Sequence, residues 1–354
     1  MNFETSHNVL PVHFEENVWI LPNKSSYGAE NECGIFNEDL TPHLASRIYR
    51  HKHPCQKISY QNCFPCAHSN SLNSYTEIES CIFLGSLPDH YGHFVTEGLA
   101  RLWYFLENRG CTGPFFYCAP EKFKYHNFIK DIFEDRVNCI SEPIRVKKCW
   151  VPEPSIILQN YVNQKYWDTV EYVTKRCDSL YKHSYFPEKV YLSKLDLKNG
   201  RNIGEKLLVR YFKNKNIEII DPTKYELGEF VAKLRTSSEI FASSGTQAHN
   251  AIFLDSRQLL VELERSDHIH PFQEYIDHNR GNNRTRLRGY VEKSSGDFSA
   301  GPFALYPTED VRKHFLDKRV YFQKICFRLH FAVATRVSAI RLVLYKLWQR
   351  YRAR

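Results

Sequence analysis

The chain has 354 residues, of which 42% are hydrophobic and 14% aromatic. This length exceeds what one hydrophobic core usually serves, so two domains are expected, and the apolar content excludes an intrinsically disordered protein. The net charge of +8 is uneven, because residues 311–354 contain twelve Lys or Arg and one Asp, which leaves −3 for the other 310 residues. The overall charge therefore does not by itself indicate a nucleic-acid partner.

No secretory signal or bilayer-spanning segment is predicted from the sequence. Residues 1–21 lack a basic start followed by an apolar run, and no stretch of eighteen or more residues is uninterruptedly apolar. The chain contains eleven cysteines, an odd number. Without a secretory signal, these are expected to be reduced thiols in a cytosolic setting.

Residues 1–185 are predicted to form an N-terminal domain. Residues 1–75 contain only short apolar pieces and are predicted to be irregular, whereas strands and helices alternate from residue 76 onward. The predicted strands are Ser80–Leu84, Pro114–Cys118 and Lys147–Val151, and the predicted helices are His93–Glu107, Phe123–Phe133 and Tyr166–Tyr181.

Residues 186–300 are predicted to form a second domain with a parallel sheet. The predicted strands are Lys189–Ser193, Ile217–Ile220, Glu239–Ala242 and Leu259–Glu262, and the helices between them are Gly204–Lys213 and Leu227–Leu234. Strands that alternate with helices over short connections are typical of a parallel, doubly wound sheet. Such sheets bind ligands at the carboxyl ends of their strands.

The segment 241–254, FASSGTQAHNAIFL, places small and polar residues directly after a predicted strand. If a helix begins there, its backbone N–H groups and its dipole favour an anion such as a phosphate. Gly245 would allow close approach of the ligand, Ser244 and Thr246 would add hydroxyl donors, and Asn250 an amide. The alternative is a Ser/Thr-capped turn closed by glycine, with no ligand.

Charged residues follow two other predicted strands of the same domain. Ser193, Lys194 and Arg201 come after the first strand, and the two cations could reach a phosphate at the strand ends. Glu262 ends the last strand, where a carboxylate could accept hydrogen bonds from ribose hydroxyls. The alternative for Lys194 and Arg201 is a solvated pair of surface cations.

A second cluster lies in the N-terminal domain, in residues 88–103. Asp89 begins it, and His93, Glu97 and Arg101 follow at a spacing of four, so a helix would carry them on one face. Ionisable groups are costly to bury without partners. The alternative to a functional site is therefore a solvent-facing, salt-bridged stripe.

The order and spacing of these motifs resemble the family 61 glycosyltransferases, over roughly residues 76–265. The family has Ser-Arg, a second Arg and Asn-Glu, then Gly-x-His-Gly-Ala with a later Asn, then Val-Ile-Glu, and upstream His-x-x-x-Glu followed by Pro-Arg. The matching positions are Ser193-Lys194, Arg201, Gly204-Glu205, Ser244–Thr246 with Asn250, Leu260–Glu262, His93 with Glu97, and Ala100-Arg101. The departures are Lys194 for Arg, Gly204 for Asn, Ser244 for His and Thr246 for Ala.

The resemblance implies an α/β protein with two Rossmann-like domains facing a cleft, the arrangement called GT-B. It implies transfer of a sugar from a nucleotide-sugar donor to a carbohydrate or glycolipid acceptor, with inversion, without a metal or other cofactor, in capsule or lipopolysaccharide assembly. Another polysaccharide-modifying enzyme, such as a pyruvyl or phosphoryl transferase, is the alternative activity.

The resemblance also implies roles for individual residues. The base would be Glu97 or Asp89, with His93 orienting it or sharing its role. Tyr91 and Arg101 would line the acceptor side of the cleft. The groups that bind the donor and stabilise the leaving diphosphate would be Ser193, Lys194, Arg201, Ser244, Gly245, Thr246, Asn250 and Glu262.

Two cysteine- and histidine-rich segments suggest a competing hypothesis of structural zinc. The candidate ligands are His51, His53, Cys55, Cys63, Cys66 and His68. No second CxxC or His pair follows at zinc-finger spacing, so reduced, partly buried thiols are the alternative. A zinc-containing, membrane-associated scaffold without activity is the non-enzymatic interpretation of the chain.

Residues 301–354 are predicted to form a basic helical tail. Apolar residues recur every three or four positions from Phe322 to Tyr351, with Lys and Arg between them. A basic amphipathic helix over 320–354 is suited to an anionic membrane surface, which would place the protein at the cytoplasmic face of the membrane. The alternative is a helix packed on the N-terminal domain, and no motif indicates nucleic acid.

Removal of residues 332–354 tests the membrane hypothesis. We expect the truncated protein to lose binding to vesicles that contain anionic lipids, because the deletion removes the basic, apolar end of the tail. Co-sedimentation with anionic and with neutral vesicles measures the effect. Unchanged sedimentation with the anionic vesicles would contradict the hypothesis.

Overall fold

A computed structural model describes residues 4–23, 33–41, 43, 48–50, 59–61, 72, 74–157, 161–195, 202–267, 269–281, 283–290 and 303–316. Arg201, the six zinc candidates between His51 and His68, and the predicted tail helix over 320–354 lie outside these residues. The chain divides into two compact units. The first comprises Met1–Ser184, Glu226–Ala232 and Glu274–Asn279, and the second comprises Tyr185–Tyr225, Lys233–Gln273 and Arg280–Arg354.

Strands and helices alternate along most of the described chain. The strands are β1 (Thr5–Ser6), β2 (Val12–Leu21), β3 (Gly34–Phe36), β4 (Ile48–Arg50), β5 (Ser59–Gln61), β6 (Thr76–Ser86), β7 (Phe115–Cys118), β8 (Val137–Cys139), β9 (Ile144–Pro152), β10 (Ile156–Ile157), β11 (Tyr161–Asn163), β12 (Lys189–Leu192), β13 (Asn202–Ile203), β14 (Glu218–Ile220), β15 (Glu239–Ser243), β16 (Leu259–Glu264), β17 (Asn283–Arg288) and β18 (Phe303–Ala304). The α-helices are α1 (Tyr91–Thr96), α2 (Trp103–Glu107), α3 (His126–Phe133), α4 (Gln164–Leu180), α5 (Glu205–Lys213), α6 (Leu227–Leu234), α7 (Pro271–Arg280) and α8 (Glu309–His314). Short 3₁₀ helices cover Gly98–Arg101, Glu134–Arg136, Pro222–Lys224 and Ala248–Phe253.

A six-stranded mixed sheet is the centre of the first unit. Its strand order is β3-β2-β9-β6-β7-β8, with parallel pairing from β9 to β8 and antiparallel pairing of β2 with β9 and with β3. The buried side chains of one cluster all come from its strands or their immediate ends, and they include Val18, Ile20, Phe83, Val146 and Val151. The predicted strands and helices from residue 76 to residue 181 are present with shifted ends, except that the predicted helix His93–Glu107 is broken into α1, a 3₁₀ helix and α2.

The prediction that residues 1–75 are irregular is wrong for β2. This strand has ten residues and pairs with β9 from Val12 opposite Pro152 to Ile20 opposite Ile144. Its sequence, VHFEENVWIL, breaks the alternation of polar and apolar residues in the middle, where Asn17 has φ of +53°. The consecutive polar residues Glu15, Glu16 and Asn17 interrupt the period of two on which a strand prediction rests, although the register with β9 is the same on both sides of them.

The second unit contains the parallel sheet that the alternation of elements predicts. Its five strands lie in the order β14-β12-β15-β16-β17, and every neighbouring pair is parallel. One face of this sheet packs against α5 and the segment 303–315 through buried aromatic and aliphatic side chains. That core includes Tyr191, Leu208, Phe212, Ile217, Phe241, Val261, Leu263, Leu287, Leu305 and Val311.

The strand β17 and the helix α7 are not among the predicted elements. The strand reads NRTRLR and carries arginines at every second position, so it lacks the apolar residues on which the strand predictions rest. It forms the edge of the sheet, where charged residues are common. None of the helices in the described part of the chain combines the length and the apolar character that a bilayer-spanning segment needs.

Gly85 provides a test of the packing in the first unit. It has φ of +91°, and a Cβ there would lie 2.7 Å from Nη1 of Arg101. We expect Gly85→Ala to lower the free energy of unfolding by about 1–3 kcal/mol, because alanine is strained at positive φ and displaces a buried guanidinium. Gly110→Ala is the matched control, since nothing lies within 4 Å of its Cβ position.

Urea unfolding followed by tryptophan fluorescence measures this difference. Four of the five tryptophans, at positions 19, 103, 150 and 167, belong to the first unit, so the signal reports mainly on that unit. Equal unfolding free energies for Gly85→Ala and Gly110→Ala would show that the Arg101 contact is not needed for stability.

Candidate functional site

Polar turns follow three neighbouring strands of the second unit. Ser193 and Lys194 follow β12, Ser244–Thr246 follow β15, and Arg265 follows β16. Because β12 pairs with β15 and β15 pairs with β16, all in parallel, their carboxyl ends share one edge of the sheet. The structure therefore brings the two predicted donor-site segments, Ser193-Lys194 and Ser244–Thr246, to one edge, where Arg265 joins them.

Glu205, the first residue of α5, holds the turn after β12. It is 2% exposed, and its Oε1 accepts hydrogen bonds from the Tyr191 hydroxyl at 3.0 Å, the Ser193 hydroxyl at 3.2 Å and the Lys194 backbone N–H at 2.7 Å. Its Oε2 accepts one from the Asn202 amide at 3.0 Å. Four donors satisfy this buried carboxylate and fix the strand end against the helix. Ser193 thus contributes to the frame of the site.

The turn after β15 does not begin an α-helix, contrary to the prediction. Gly245 has φ of +88°, and the chain continues into the six-residue 3₁₀ helix Ala248–Phe253. Side chains close this turn, since the Ser243 hydroxyl donates to Oε1 of Gln247 at 2.6 Å and the Asn250 amide donates to the Gln247 carbonyl at 2.9 Å. A helix dipole is therefore a minor contribution here, and positive side chains must supply any charge for an anion.

Asn250 is enclosed in the turn. It is 2% exposed, and its amide donates to the carbonyl of Gln247. Its position supports the turn, and its predicted contact with a ligand stays a prediction. Ser244 and Thr246, by contrast, are partly exposed at the strand end, and the Ser244 hydroxyl donates to the Leu263 carbonyl at 3.3 Å.

Arg265 is a cation of this edge that the sequence analysis did not select. A Cβ on Gly245 would lie 2.5 Å from its Nη2, so glycine at this position makes room for the guanidinium. The guanidinium carbon lies 4.1 Å from the ring centroid of Phe303, a cation–π contact. The only sequence signal was a basic residue three positions after the last predicted strand, Leu259–Glu262.

His249 lies buried beside the same turn. Its backbone N–H donates to the Gly245 carbonyl at 3.1 Å, and its Nδ1 lies 3.0 Å from Oε1 of Gln273. Burial, and then the neighbouring His270, lower the pKa of His249 well below 6.5, and the charges of Lys194 and Arg265 act in the same direction. The ring is therefore neutral near pH 7, and because Gln273 presents an acceptor, its Nδ1 carries the proton.

Glu262 is directed toward two arginines of the edge strand. It is 2% exposed, and its Oε2 lies 3.4 Å from Nε of Arg284 and 3.4 Å from Nε of Arg286. Burial raises the pKa of Glu262, while the Ser244 hydroxyl, Arg286 and Arg265 oppose that shift. The carboxylate is engaged within the protein, and its predicted contact with a ribose stays a prediction.

In the first unit, His93 and Glu97 form a hydrogen-bonded pair at the end of α1. Nδ1 of His93 lies 3.0 Å from Oε2 of Glu97, and the side chains are 41% and 8% exposed, respectively. The buried carboxylate thus holds one ring nitrogen of an exposed imidazole. This leaves Nε2 of His93 as the free nitrogen of the pair, since a carboxylate partner places the proton on Nδ1.

The other candidates of this cluster are held in structural contacts. Asp89 accepts a hydrogen bond from the Lys124 backbone N–H at 3.0 Å and forms an ion pair with Lys124 Nζ at 3.2 Å. The Tyr91 hydroxyl lies inside the unit, where burial and then Tyr125 and Tyr166 raise its pKa. Neither arrangement presents the side chain as the predicted base or acceptor contact.

Arg101 does not share a helix face with His93 and Glu97, contrary to the prediction. The predicted helix 93–107 breaks into α1, the 3₁₀ helix Gly98–Arg101 and α2, and a 3₁₀ helix has about three residues per turn. Arg101 is consequently 6% exposed, and its Nε donates to the Pro152 carbonyl at 2.7 Å. Arg101 thus lies inside the unit, next to Gly85 near the carboxyl end of β6 and to Pro152 at the carboxyl end of β9.

Within the described residues, no group of three or more His, Cys, Asp or Glu is placed to hold a metal ion. None of the seven cysteines in the described ranges forms a disulfide, although the sulfurs of Cys81 and Cys149 are 3.8 Å apart across two parallel strands. The six residues suggested as zinc ligands lie outside the part of the chain that the structure describes, so the zinc hypothesis stays a prediction.

A comparison with family models assigns a class to this arrangement. Residues 91–261, slightly under half of the chain, match the model described as Glycosyltransferase 61, and this match supports glycosyltransferase activity. The matched segment runs from the His93 pair to the strand β16, and it confirms the resemblance drawn from the motifs. No curated protein matches the chain.

The neutral His249 generates a prediction for stability against pH. Because its pKa in the folded state lies below the ordinary 6.5, the unfolded chain binds a proton first as the pH falls. The contribution of His249 to stability is therefore complete above about pH 6.5 and lost toward lower pH. We expect His249→Gln to flatten the fall in unfolding free energy between about pH 6.5 and pH 5.

Urea unfolding followed by circular dichroism across this pH range measures the slope. His183→Gln, a substitution at an exposed position, is the control and should leave the slope as in the wild type. The assignment of His249 as a neutral buried residue fails if both variants lose stability with acid as steeply as the wild type.

Proposed function

We propose that the protein transfers a sugar from a nucleoside-diphosphate sugar to a hydroxyl group of a carbohydrate or glycolipid acceptor, with inversion and without a metal. The acceptor oxygen forms a bond to the anomeric carbon, the bond from that carbon to the diphosphate breaks, and the hydroxyl proton passes to the protein. A single displacement of this kind inverts the configuration at the anomeric carbon.

The observation that carries the proposal is the pair of His93 and Glu97. An exposed imidazole with a free Nε2 can accept the proton of an acceptor hydroxyl. The buried Glu97 orients the ring and stabilises the imidazolium that forms, as a carboxylate does in other histidine-based catalytic pairs. Sequence analysis favoured Glu97 or Asp89 as the base. The geometry instead supports His93 as the base and Glu97 as its positioning residue.

The leaving diphosphate requires positive charge and hydrogen-bond donors. Lys194 at the end of β12 and the hydroxyls of Ser244 and Thr246 at the end of β15 are the described groups of the predicted donor site that meet this need. Arg201 remains an expected contributor from the sequence. The proposal thus gives His93 the activation of the acceptor, and Lys194 and the two hydroxyls the binding of the diphosphate.

The cellular setting of the proposal rests on sequence resemblance and charge. The family resemblance supports a role in capsule or lipopolysaccharide assembly. The basic, apolar sequence of the tail supports work on acceptors at the cytoplasmic face of a membrane. A glycolipid or a growing surface glycan is the acceptor that fits both features.

Substitutions in the pair test the proposed base. We expect His93→Ala to lower kcat for sugar transfer about 10²- to 10⁴-fold, the usual contribution of a general base. Glu97→Gln should lower it less, and the double variant should be no worse than His93→Ala, since Glu97 acts through His93. His90→Ala is the control, because His90 is exposed and its ring centroid is 5.1 Å from that of His93.

The measurement is release of nucleoside diphosphate from a panel of UDP-, GDP-, ADP- and CDP-linked sugars, with and without oligosaccharide acceptors. Additive losses for His93→Ala and Glu97→Gln, or equal losses for His90→Ala and His93→Ala, would remove the assigned roles. Release of no nucleotide from any donor by the wild-type protein would count against the proposed transfer itself.

A further inference from the structure

Arg265 stands at the end of β16, in the same edge of the sheet as the turns after β12 and β15. It is partly exposed as a residue, and its Nε is buried. Two neighbours restrict where the guanidinium lies. Nη2 occupies the space where a side chain on residue 245 would begin, and the guanidinium carbon lies 4.1 Å from the Phe303 ring centroid.

Both the backbone conformation and the position of Arg265 favour glycine at position 245. Its φ of +88° is unfavourable for residues with a Cβ, and any Cβ would lie 2.5 Å from Nη2 of Arg265, closer than real Cβ contacts. The contact with Phe303 restricts the plane of the guanidinium. The turn and the arginine are therefore fitted to each other, and the guanidinium is positioned before any ligand arrives.

Other groups at this edge show which ligand chemistry fits. Lys194 lies near enough for its charge, together with that of Arg265, to act on the buried His249. Two cations at the ends of separate parallel strands, with the Ser244 and Thr246 hydroxyls on the strand between them, match a ligand with more than one anionic group. A diphosphate has this charge and this spread of acceptor oxygens.

Resting on the proposed function, we propose that Arg265 binds the diphosphate of the donor through its guanidinium, beside the glycine turn. A planar guanidinium can donate two parallel hydrogen bonds to phosphate oxygens, which a lysine ammonium cannot. Arg265 would thus stabilise the negative charge that grows on the diphosphate as the sugar leaves. No new bond to the protein forms, and no further reactant is needed.

Binding of nucleotides to the full-length protein tests this role. The probes are UDP, GDP, ADP and CDP, followed by the nucleoside of whichever diphosphate the wild type binds, all measured by isothermal titration calorimetry. We expect Arg265→Ala to weaken diphosphate binding roughly 10- to 100-fold, the value of lost charge-assisted hydrogen bonds, and to change nucleoside binding less than about twofold. Arg265→Lys should recover only part of the loss.

Arg257→Ala is the matched control. Arg257 lies just before the other end of β16, is 82% exposed at its side chain and pairs with Asp255 at 2.7 Å. The substitution Arg257→Ala therefore removes one positive charge, as Arg265→Ala does, but at the opposite end of the same strand. We expect diphosphate affinity in this variant to equal that of the wild type, which excludes a general effect of net charge.

Gly245→Ala links the turn to the arginine. In the wild-type background it should weaken diphosphate binding, and in the Arg265→Ala background it should cost little more, because the guanidinium that it displaces is already absent. Circular dichroism verifies that each variant is folded. If Gly245→Ala does not fold, the comparison of Arg265→Ala and Arg265→Lys with Arg257→Ala decides.

The outcomes separate the two proposals. Equal diphosphate affinity in Arg265→Ala and the wild type overturns the role of Arg265 and leaves the proposed sugar transfer in place. Equal losses for the diphosphate and the nucleoside also overturn it, since they indicate a structural effect on the whole site. Failure of the wild type to bind any of the four nucleoside diphosphates contradicts the proposed function, and the role of Arg265 with it.

Discussion

The parallel pairing of β12, β15 and β16 is the constraint on which the rest of the second unit depends. The carboxyl ends of these parallel strands lie at the same edge of the sheet. Three turns that are far apart in sequence therefore come together through the strand pairing alone. Glu205 and Gly245 then refine this arrangement. The glutamate ties the first turn to α5 through four hydrogen bonds, and the glycine lets the second turn lie against Arg265.

In the first unit, burial separates the roles of residues that look alike in the sequence. Glu97 and Asp89 are both carboxylates near His93, but one is enclosed beside the imidazole and the other is held by the Lys124 loop. Arg101 is placed beneath the surface by a change of helix type. Of the three residues predicted to share a helix face, only His93 is well exposed, and Glu97 is its buried hydrogen-bond partner. This pair is a more specific arrangement than the sequence pattern suggested.

The alternation of elements from residue 76 onward, and the gathering of Ser193, Lys194 and the 244–246 turn, followed from local patterns and a general property of parallel sheets. What did not follow depends on contacts that no local pattern contains. The 3₁₀ helix after Gly245 is set by Ser243, Gln247 and Asn250 bonding to one another, and the place of Arg265 is set by a neighbouring strand. The strand β2 was missed because the polar run Glu15–Asn17 interrupts the period of two in its sequence.

The anchoring of the turn after β12 by Glu205 has an evolutionary consequence. Since no α-helix begins after β15, the attraction for an anion there resides in separate side chains carried on strand ends that the sheet already fixes. Exchanging those side chains alters ligand preference while the hydrogen-bonded scaffold beneath them stays intact. Because the scaffold and the charged side chains are separate, substitutions at the strand ends can change the preferred donor without changing the fold.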